Sequence, residues 1–427
     1  MVKSTGLSAS LRRLLTLCLI ALTAGTAWTV VDGDPDWGFF GHRRLNQLAV
    51  FTLDEEMMPF FRANIEWLTE HAVDPDKRRY ASKYEAVRHY IDLDHWGESE
   101  DYAYVPRLWT DALLWKAQLI VVPAAGDTVV WSVDTITQAD PDFLFDRDSR
   151  VLMSSSRGEQ VELQLGAYRD YWVQNVLPRY YDDEILLPAL GLRNAGFPLP
   201  TTDQPVRVRE VFSGYGILPY HLVSMHRRIT EAFAAEDGDR ILRLCAEMGH
   251  YVGDAHVPLH TTENYNGQLT GQTGIHAFWE SRIPELFADA SYDYFVGKAE
   301  YIEDPRAYYW DIVLDSHRLV DSVLDSEARL RRQFPDDQQM VFDERLGRTI
   351  KTQSAEFAAA WAREMDGMVE GRFRAAIRSI GSVWYSCWID AGQPDLTKLT
   401  PRPAIYAAPD SLNQAVRQNK IKGRPHE

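Results

Sequence analysis

Histidines and carboxylates able to bind a metal ion are concentrated near the middle of the chain. His250 and Asp254 are four residues apart, and His260 follows shortly after Pro258. Because residues four apart share one face of an α-helix, His250 and Asp254 can point at the same ion. Proline lacks an amide hydrogen and clashes with the preceding turn, so we expect the helix to end or a turn to begin at Pro258. Such a turn directs His260 towards a neighbouring site.

A second pair repeats this spacing a short distance further on. His276 and Glu280 are also four residues apart. Together with His260 they supply three protein ligands and leave one coordination position for water or substrate, an arrangement typical of catalytic rather than structural zinc. Ordinary histidines on a polar helix face explain either pair taken alone, but two such pairs so close together favour a metal centre.

Weaker candidates lie nearer the N-terminus. Trp37 opens the run Trp-Gly-Phe-Phe-Gly-His, which ends at His42. Further on, Asp74 precedes His89, the first residue of a His-Tyr-Ile-Asp run. Each of these residues is commonplace by itself, so their weight comes from their order along the chain.

In that order the motifs resemble the superfamily that unites bacterial zinc-dependent phospholipase C with the fungal and plant single-strand-specific nucleases. Members begin the mature chain with tryptophan, continue with a histidine, an aspartate and a His-aromatic-Ile-Asp run, and end with two His-x-x-x-carboxylate pairs. The match covers about residues 37–95 and 217–280. It implies a mainly α fold, a multi-helix bundle that encloses a zinc cluster, over residues 37–400.

The resemblance also implies two or three zinc ions per chain. The ligands of the first would be Asp74, His89, His250 and Asp254, and those of the second His260, His276 and Glu280. A third would use His42, a shared oxygen of Asp254, and the amino group and carbonyl of Trp37. His256 is expected to orient a carboxylate from outside the ligand set. Lys77, Arg78 and Arg79 stand where the nucleases carry a phosphate-contacting arginine, or form a solvated face.

The N-terminus has the pattern of an export signal. Basic residues precede an apolar stretch from Leu14 to Ala27 that ends in small residues. This stretch is shorter than the roughly 20 residues that span a bilayer. We therefore expect a signal peptide over residues 1–27 and a periplasmic or extracellular protein, anchored in the membrane if the leader is kept. If cleavage follows Ala27, other residues precede Trp37 and its amino group is not free to bind metal. The third ion would then have only the Trp37 carbonyl at this position, or would be absent.

Composition limits the classes of function. The net charge of -17 and the pI near 5.2 disfavour a general polyanion binder, which displays basic residues to replace counterions. Beyond the leader the chain has only Cys245 and Cys387, too few for a disulfide framework or a thiolate zinc site; they either pair or stay buried and free. Histidine and carboxylate must therefore bind any metal.

Periodicity divides the chain into helical and strand-like segments. Helical spacing runs from Leu45 to His95, with a turn expected at residues 74–76. A small sheet is expected in an insertion over about residues 97–211, where Val129–Thr137 and Val161–Leu165 have strand patterns. Later helices are predicted over Ile217–Asp254, with a break at residues 237–239, and over Ala307–Gln333 and Asp343–Ala391. Residues 401–427 form a polar tail.

The resemblance implies hydrolysis of a phosphate ester. Zinc lowers the pKa of a bound water to about 7, so that a hydroxide is available as nucleophile, with Asp74 as candidate general base. The second zinc would polarise the phosphoryl group and stabilise the leaving oxygen.

The substrate is either a phospholipid or a nucleic acid or nucleotide. The Trp37–His42 spacing is similar to the nucleases. Glu280 in place of aspartate, and a His260–His276 loop without a Gly-Gly-Asn segment, are similar to phospholipase C. We favour a phospholipase C-like phosphodiesterase, with contact to a membrane surface left open, over a single-strand nuclease or 3'-nucleotidase. An exported zinc-binding interaction protein without activity is the alternative of another class.

Overall fold

The described part of the chain is helix-rich and carries a small antiparallel sheet. The computed structural model describes residues 39–79, 82–96, 102, 105–122, 127–137, 147–179, 184–194, 196–197, 205–345 and 348–399. The predicted signal peptide, Trp37 and the predicted tail lie outside these residues. Among the described helices, none is both long and apolar enough to cross a membrane.

Helices before and within the predicted insertion are short. They are α1 (Phe39–Ala49), α2 (Met58–Ala63), α3 (Ile65–Glu70), α4 (Asp74–Arg79), α5 (Lys83–Ala86), α6 (Trp109–Lys116), α7 (Leu165–Asn175) and α8 (Ala189–Asn194). Single 3-10 turns connect several of them, at Val50–Thr52, His71–Val73, Leu93–Trp96, Leu177–Arg179 and Ser213–Tyr215.

The helices of the second half of the chain include the longest ones described, together with two short ones of three and four residues. They are α9 (Leu218–Ala234), α10 (Gly238–Ala255), α11 (Ile275–Ala277), α12 (Ile283–Ser291), α13 (Pro305–His317), α14 (Val320–Gln333), α15 (Asp336–Gln339), α16 (Ala355–Glu364) and α17 (Met368–Asp390). A π-helical turn, Phe278–Arg282, joins α11 to α12. Further 3-10 turns lie at Pro258–Thr261 and Leu396–Lys398.

Helix α10 lies at the centre of the bundle and packs against α1, α9 and α17. The predicted break at residues 237–239 is its N-terminus, where the Asp237 side chain accepts a hydrogen bond from the Arg240 amide at 3.1 Å. Trp384 of α17 is fully buried and donates to the Cys245 carbonyl of α10 at 3.1 Å. This tryptophan therefore packs within the bundle, as its spacing predicts, and Cys245 and Cys387 are buried free thiols.

Two glycines let α1 approach α10 closely. A Cβ atom on Gly253 would lie 3.0 Å from His42 Nδ1, and one on Gly249 would overlap the Asn46 side chain. Asn46 is buried and donates to the Leu68 carbonyl at 3.2 Å and to the Ala246 carbonyl at 3.0 Å. Because these two glycines have no side chain, α1 packs closely against α10. His42, on the same face of α1 as Asn46, therefore lies next to the C-terminal half of α10.

The predicted sheet forms within residues 97–211. Its strands are β1 (Gln118–Val121), β2 (Val129–Thr137), β3 (Arg150–Ser155), β4 (Gln160–Gln164), β5 (Ile185–Leu187) and β6 (Val206–Arg209), in the order β4-β3-β2-β1-β6-β5 with every pair antiparallel. Leu119, Trp131 and Val208 on one face are buried and belong to the same hydrophobic core as α10. The insertion is therefore continuous with the bundle.

Three helix predictions are wrong in detail. Residues 74–76 begin helix α4 instead of forming a turn, because proline fits the first turn of a helix, where its missing amide has no partner. The helix predicted over Ala307–Gln333 is broken between α13 and α14. The segment after Asp343 starts in a hairpin, β7 (Met340–Arg345) with β8 (Arg348–Gln353), where Thr349, Ile350 and Thr352 are β-branched residues that favour a strand.

We predict that Gly249→Ala lowers the free energy of unfolding by about 1–3 kcal/mol, because the new methyl group overlaps Asn46 in a closely packed contact. Gly371→Ala is the matched control, since no atom lies within 4 Å of its Cβ position in α17. It should be neutral or stabilising by up to about 1 kcal/mol, the helix-propensity difference. Urea unfolding of both variants in the presence of a chelator tests this, and equal stabilities would contradict the close approach.

Candidate metal centre

The C-terminal end of α10 carries the middle of the site. His250 and Asp254 lie one turn apart on this helix, and both are buried. The helix ends at Ala255, and Pro258 starts the 3-10 turn that contains His260, as the sequence predicts. The local spacing therefore brings an imidazole, a carboxylate and a second imidazole to one end of a single helix.

An inner set of ligands forms around His250 and consists of Asp76, His89, His250 and Asp254. Asp76, His89 and His250 each offer one atom to a group that can hold a metal ion. His89 Nδ1 lies 2.9 Å from Asp254 Oδ2 and 3.1 Å from His250 Nε2. Asp76 Oδ1 lies 3.7 Å from His250 Nε2 and 3.9 Å from His89 Nδ1.

Asp74 does not join this set. Its carboxylate accepts from His71 at 2.6 Å and from Lys77 at 2.9 Å, and these bonds lower its pKa although partial burial raises it. Residues two apart on a helix point about 200° from each other, so Asp74 and Asp76 of α4 cannot both face α10. The structure therefore places Asp76, which Arg79 holds at 3.1 Å, in the ligand group where the resemblance implied Asp74.

An outer set consists of His260, His276 and Glu280, the three ligands predicted for the second ion. His276 Nε2 lies 2.6 Å and His260 Nε2 3.5 Å from Glu280 Oε2. Glu280 lies in the π-helical turn and not in a regular α-helix. Single π-turns inside helices occur often at functional sites, because the extra residue redirects the side chains.

His42 lies between the two sets. Its Nε2 atom is 3.4 Å from Asp254 Oδ1 and 3.4 Å from Glu280 Oε1. His42, His250 and Asp254 form the remaining group that can hold a metal ion. Asp254 therefore faces His89 and His250 with one oxygen and His42 with the other. Trp37, the further ligand that the resemblance implies for this position, lies outside the described residues.

The distances between ligand atoms scatter around the value that a tetrahedral zinc ion requires. With zinc bonded to nitrogen and oxygen at about 2.1 Å, two ligand atoms at the tetrahedral angle lie about 3.4 Å apart. The observed separations run from 2.6 Å for His276 to Glu280, through 3.4 Å for His42 to Asp254, to 3.9 Å for Asp76 to His89. The three groups of imidazoles and carboxylates could therefore hold metal ions, and their nitrogen and oxygen atoms are ligands that zinc accepts.

Backbone carbonyls orient three of the imidazoles. The Nδ1–H groups donate to Ala72 from His250 at 2.9 Å, to His89 from His260 at 2.6 Å, and to Tyr265 from His276 at 3.2 Å. This leaves each Nε2 lone pair directed at the carboxylates of its set. Metal-binding histidines in proteins are commonly fixed in this way, because the bond to the second nitrogen sets both tautomer and ring orientation.

Burial sets the protonation of these groups. Loss of hydration lowers the pKa of His89, His250 and His260, which keeps them in the neutral form that binds metal. Burial and the neighbouring carboxylates raise the pKa of Asp254. Burial raises the pKa of Glu280, but the neighbouring imidazoles of His260, His276 and His42 more than offset this and lower it well below its usual value. A bound dication removes the repulsion that raises the pKa of Asp254.

Other candidate residues lie apart from the three ligand groups. His256 donates to the Val252 carbonyl at 2.8 Å and contacts Ser379, so it orients no carboxylate, contrary to expectation. The basic triplet is engaged in ion pairs, Lys77 with Asp74, Arg78 with Glu247 and Arg79 with Asp76. It is therefore neither a bare solvated face nor a free phosphate contact.

Sequence reasoning missed a clamp on the loop between His260 and His276. Gln272 donates to Glu327 Oε2 of α14 at 2.7 Å and to the Leu324 carbonyl at 2.8 Å. Glu327 is 1% exposed and pairs with Arg331 at 2.9 Å. This loop supplies the carbonyl that orients His276, so the clamp stabilises the outer set. Its members are far apart in sequence, and no local pattern reveals them.

Asp76→Asn and Asp74→Asn form a matched pair that tests the corrected ligand. We expect Asp76→Asn to weaken zinc binding by at least about 10-fold, because it removes a charged ligand. Groups that only orient a metal ligand already cost about 10-fold to 100-fold in affinity when they are replaced. Asp74→Asn should bind zinc like the wild type. Chelator competition measures both affinities, and stronger loss in Asp74→Asn would restore the original assignment.

No protein-family model and no curated protein sequence matches this chain. What the site can do therefore rests on its own geometry and on the resemblance of its motifs.

Proposed function

We propose that this protein is an exported zinc-dependent phosphodiesterase, similar in its chemistry to phospholipase C. The observation that carries the proposal is the sharing of Asp254 between His42 on one side and His89 and His250 on the other, beside the outer set of three ligands. Neighbouring metal ions that share a carboxylate are suited to holding both the attacking and the leaving oxygen of a phosphoryl group.

The outer set supports catalysis over a purely structural role. Structural zinc is normally enclosed by four protein ligands, whereas His260, His276 and Glu280 supply three. Glu280 has a side chain that is 14% exposed, the most accessible of this set. The outer set is thus the better candidate for contact with the substrate.

The chain's own residues have separable roles. Zinc, when bound, makes a water acidic near neutral pH and polarises a phosphoryl oxygen. Asp76 Oδ1, held by Arg79, replaces Asp74 as candidate proton acceptor on the inner side. The backbone carbonyls that hold His250, His260 and His276 fix the ligands in advance, so little reorganisation is needed during the reaction.

The charge distribution favours a small or zwitterionic phosphodiester over a long polyanion. Lys77, Arg78 and Arg79 each pair with a carboxylate, so this triplet adds no unbalanced positive charge. The whole chain has a net charge of -17. Nucleic-acid binding draws much of its affinity from cations that replace counterions. These facts support a phospholipase C-like substrate over single-stranded nucleic acid.

A substrate panel tests the proposal. We expect zinc-loaded protein to hydrolyse p-nitrophenyl phosphocholine faster than single-stranded DNA or a nucleoside 3'-phosphate, and to lose this activity with a chelator and regain it with zinc. Faster cleavage of DNA would favour the nuclease branch. Full zinc occupancy without hydrolysis of any ester would favour a non-catalytic interaction protein.

His276→Ala tests the outer set. We expect the loss of about one zinc per chain and of nearly all hydrolysis, because two remaining protein ligands hold the ion weakly. His71→Ala is the matched control, since His71 bonds to Asp74 and belongs to none of the three ligand groups. Elemental analysis and hydrolysis rates are measured on both. Retained activity in His276→Ala would rule out the outer set as the reaction site.

A further inference from the structure

Each of the last four backbone carbonyls of α10 accepts a hydrogen bond. The Val252, Gly253 and Asp254 carbonyls accept from the His256 side chain at 2.8 Å, the His256 amide at 2.9 Å and the Val257 amide at 3.0 Å. The Ala255 carbonyl accepts from Ser316 Oγ at 2.5 Å. Helix ends normally leave such carbonyls to water or to capping groups. Here three of the four donors belong to the turn that follows the helix, and the fourth, Ser316, comes from the distant helix α13.

Arg372 completes this cap. Its Nε–H donates to the His256 carbonyl at 2.9 Å, and one of its terminal nitrogens donates to the Ile312 carbonyl at 3.2 Å and to Ser316 Oγ. Because the Ser316 hydroxyl proton is given to Ala255, its oxygen is free to accept from Arg372. One guanidinium on α17 therefore connects the end of α10 to α13.

Within the described part of the chain, the Arg372 guanidinium donates to two carbonyl oxygens and one hydroxyl oxygen, and Asp315 is the carboxylate whose charge acts on it. Burial lowers its pKa to about 10, so it remains charged at neutral pH. A cation at a helix C-terminus interacts favourably with the helix dipole and with the last carbonyls. The end of α10 thus adds to the stabilisation that the Asp315 carboxylate gives this buried guanidinium.

The cap is directly next to the metal ligands. His256 is two residues after Asp254 and four before His260. Asp254 Oδ1 and His260 Nε2 are 3.8 Å apart, which links the inner and outer sets. Arg372, His42 and Glu280 also line one small cavity beside the helix. A shift of the His256 carbonyl would therefore change the separation of the two ligand sets.

We propose that Arg372, acting through Ser316 and the His256 carbonyl, is a positioning residue that fixes Asp254 and His260 at the separation required by adjacent metal ions. This inference rests on the metal centre of the proposed function, but it concerns metal binding and not hydrolysis. Arg372 touches no ligand atom of the three metal-binding groups; it acts on the turn between two of them.

Cobalt binding to Arg372→Gln tests the proposal. We expect about 10-fold to 100-fold weaker Co²⁺ binding by chelator competition, the range found for groups that orient metal ligands. We also expect an altered visible absorption band at saturating Co²⁺, because the ligand geometry changes. Arg378→Gln is the matched control on the same helix, since Arg378 pairs with Glu300 at the surface. It should match the wild type in both measurements.

Ser316→Ala provides a milder second variant in case Arg372→Gln does not fold. It removes the hydroxyl that connects Arg372 to Ala255 and should give a smaller loss of Co²⁺ affinity with the same direction of spectral change. Wild-type affinity and spectrum in whichever variant folds would overturn the proposal. If the wild type binds Co²⁺ but hydrolyses no phosphate ester, the proposed function fails while this inference is still tested by the metal measurements.

Discussion

The structure depends on burying several ionisable groups at one helix end. Three carboxylates and five imidazoles meet there, and nearly all of them are buried. Taking a carboxylate out of water costs several kcal/mol unless an opposite charge compensates it. Neutral imidazoles cannot do so, and burial keeps His89, His250 and His260 neutral because it lowers their pKa. Metal dications are the compensating charge that this donor set fits.

The surrounding fold brings the ligands together and places one cationic side chain beside them, Arg79, which pairs with Asp76 at 3.1 Å. Gly249 and Gly253 let α1 pack closely enough for His42 to reach Asp254. The buried Glu327 is satisfied by Arg331 and Gln272, away from the ligands, and holds the loop that orients His276. Arg331 and Arg79 thus each balance one buried carboxylate, whereas among the described residues Asp254 and Glu280 have only imidazoles at ion-pair distance.

Sequence alone locates the parts of the site that depend on local spacing. The four-residue spacing of His250 and Asp254, and of His276 and Glu280, places each pair within reach of one ion. The choice between Asp74 and Asp76 has no such signal, because each has a basic residue three positions later. Only the packing of α4 decides it. The roles of Arg372 and Gln272 depend on tertiary contacts across long stretches of chain, so no periodicity predicts them.

The same balance of charges bears on how so acidic a chain could attract the phosphate ester proposed as its substrate. Two bound dications would outweigh the three ligand carboxylates, and a third would make the excess larger. The histidine ligands add no charge when neutral, so the excess positive charge lies on the ions themselves. Within a site shielded from water such charge acts strongly over a short range, whereas the distant acidic surface is screened by salt. A locally cationic centre is therefore compatible with a net charge of -17 and favours a compact phosphate group over an extended polyanion that must also approach the acidic surface.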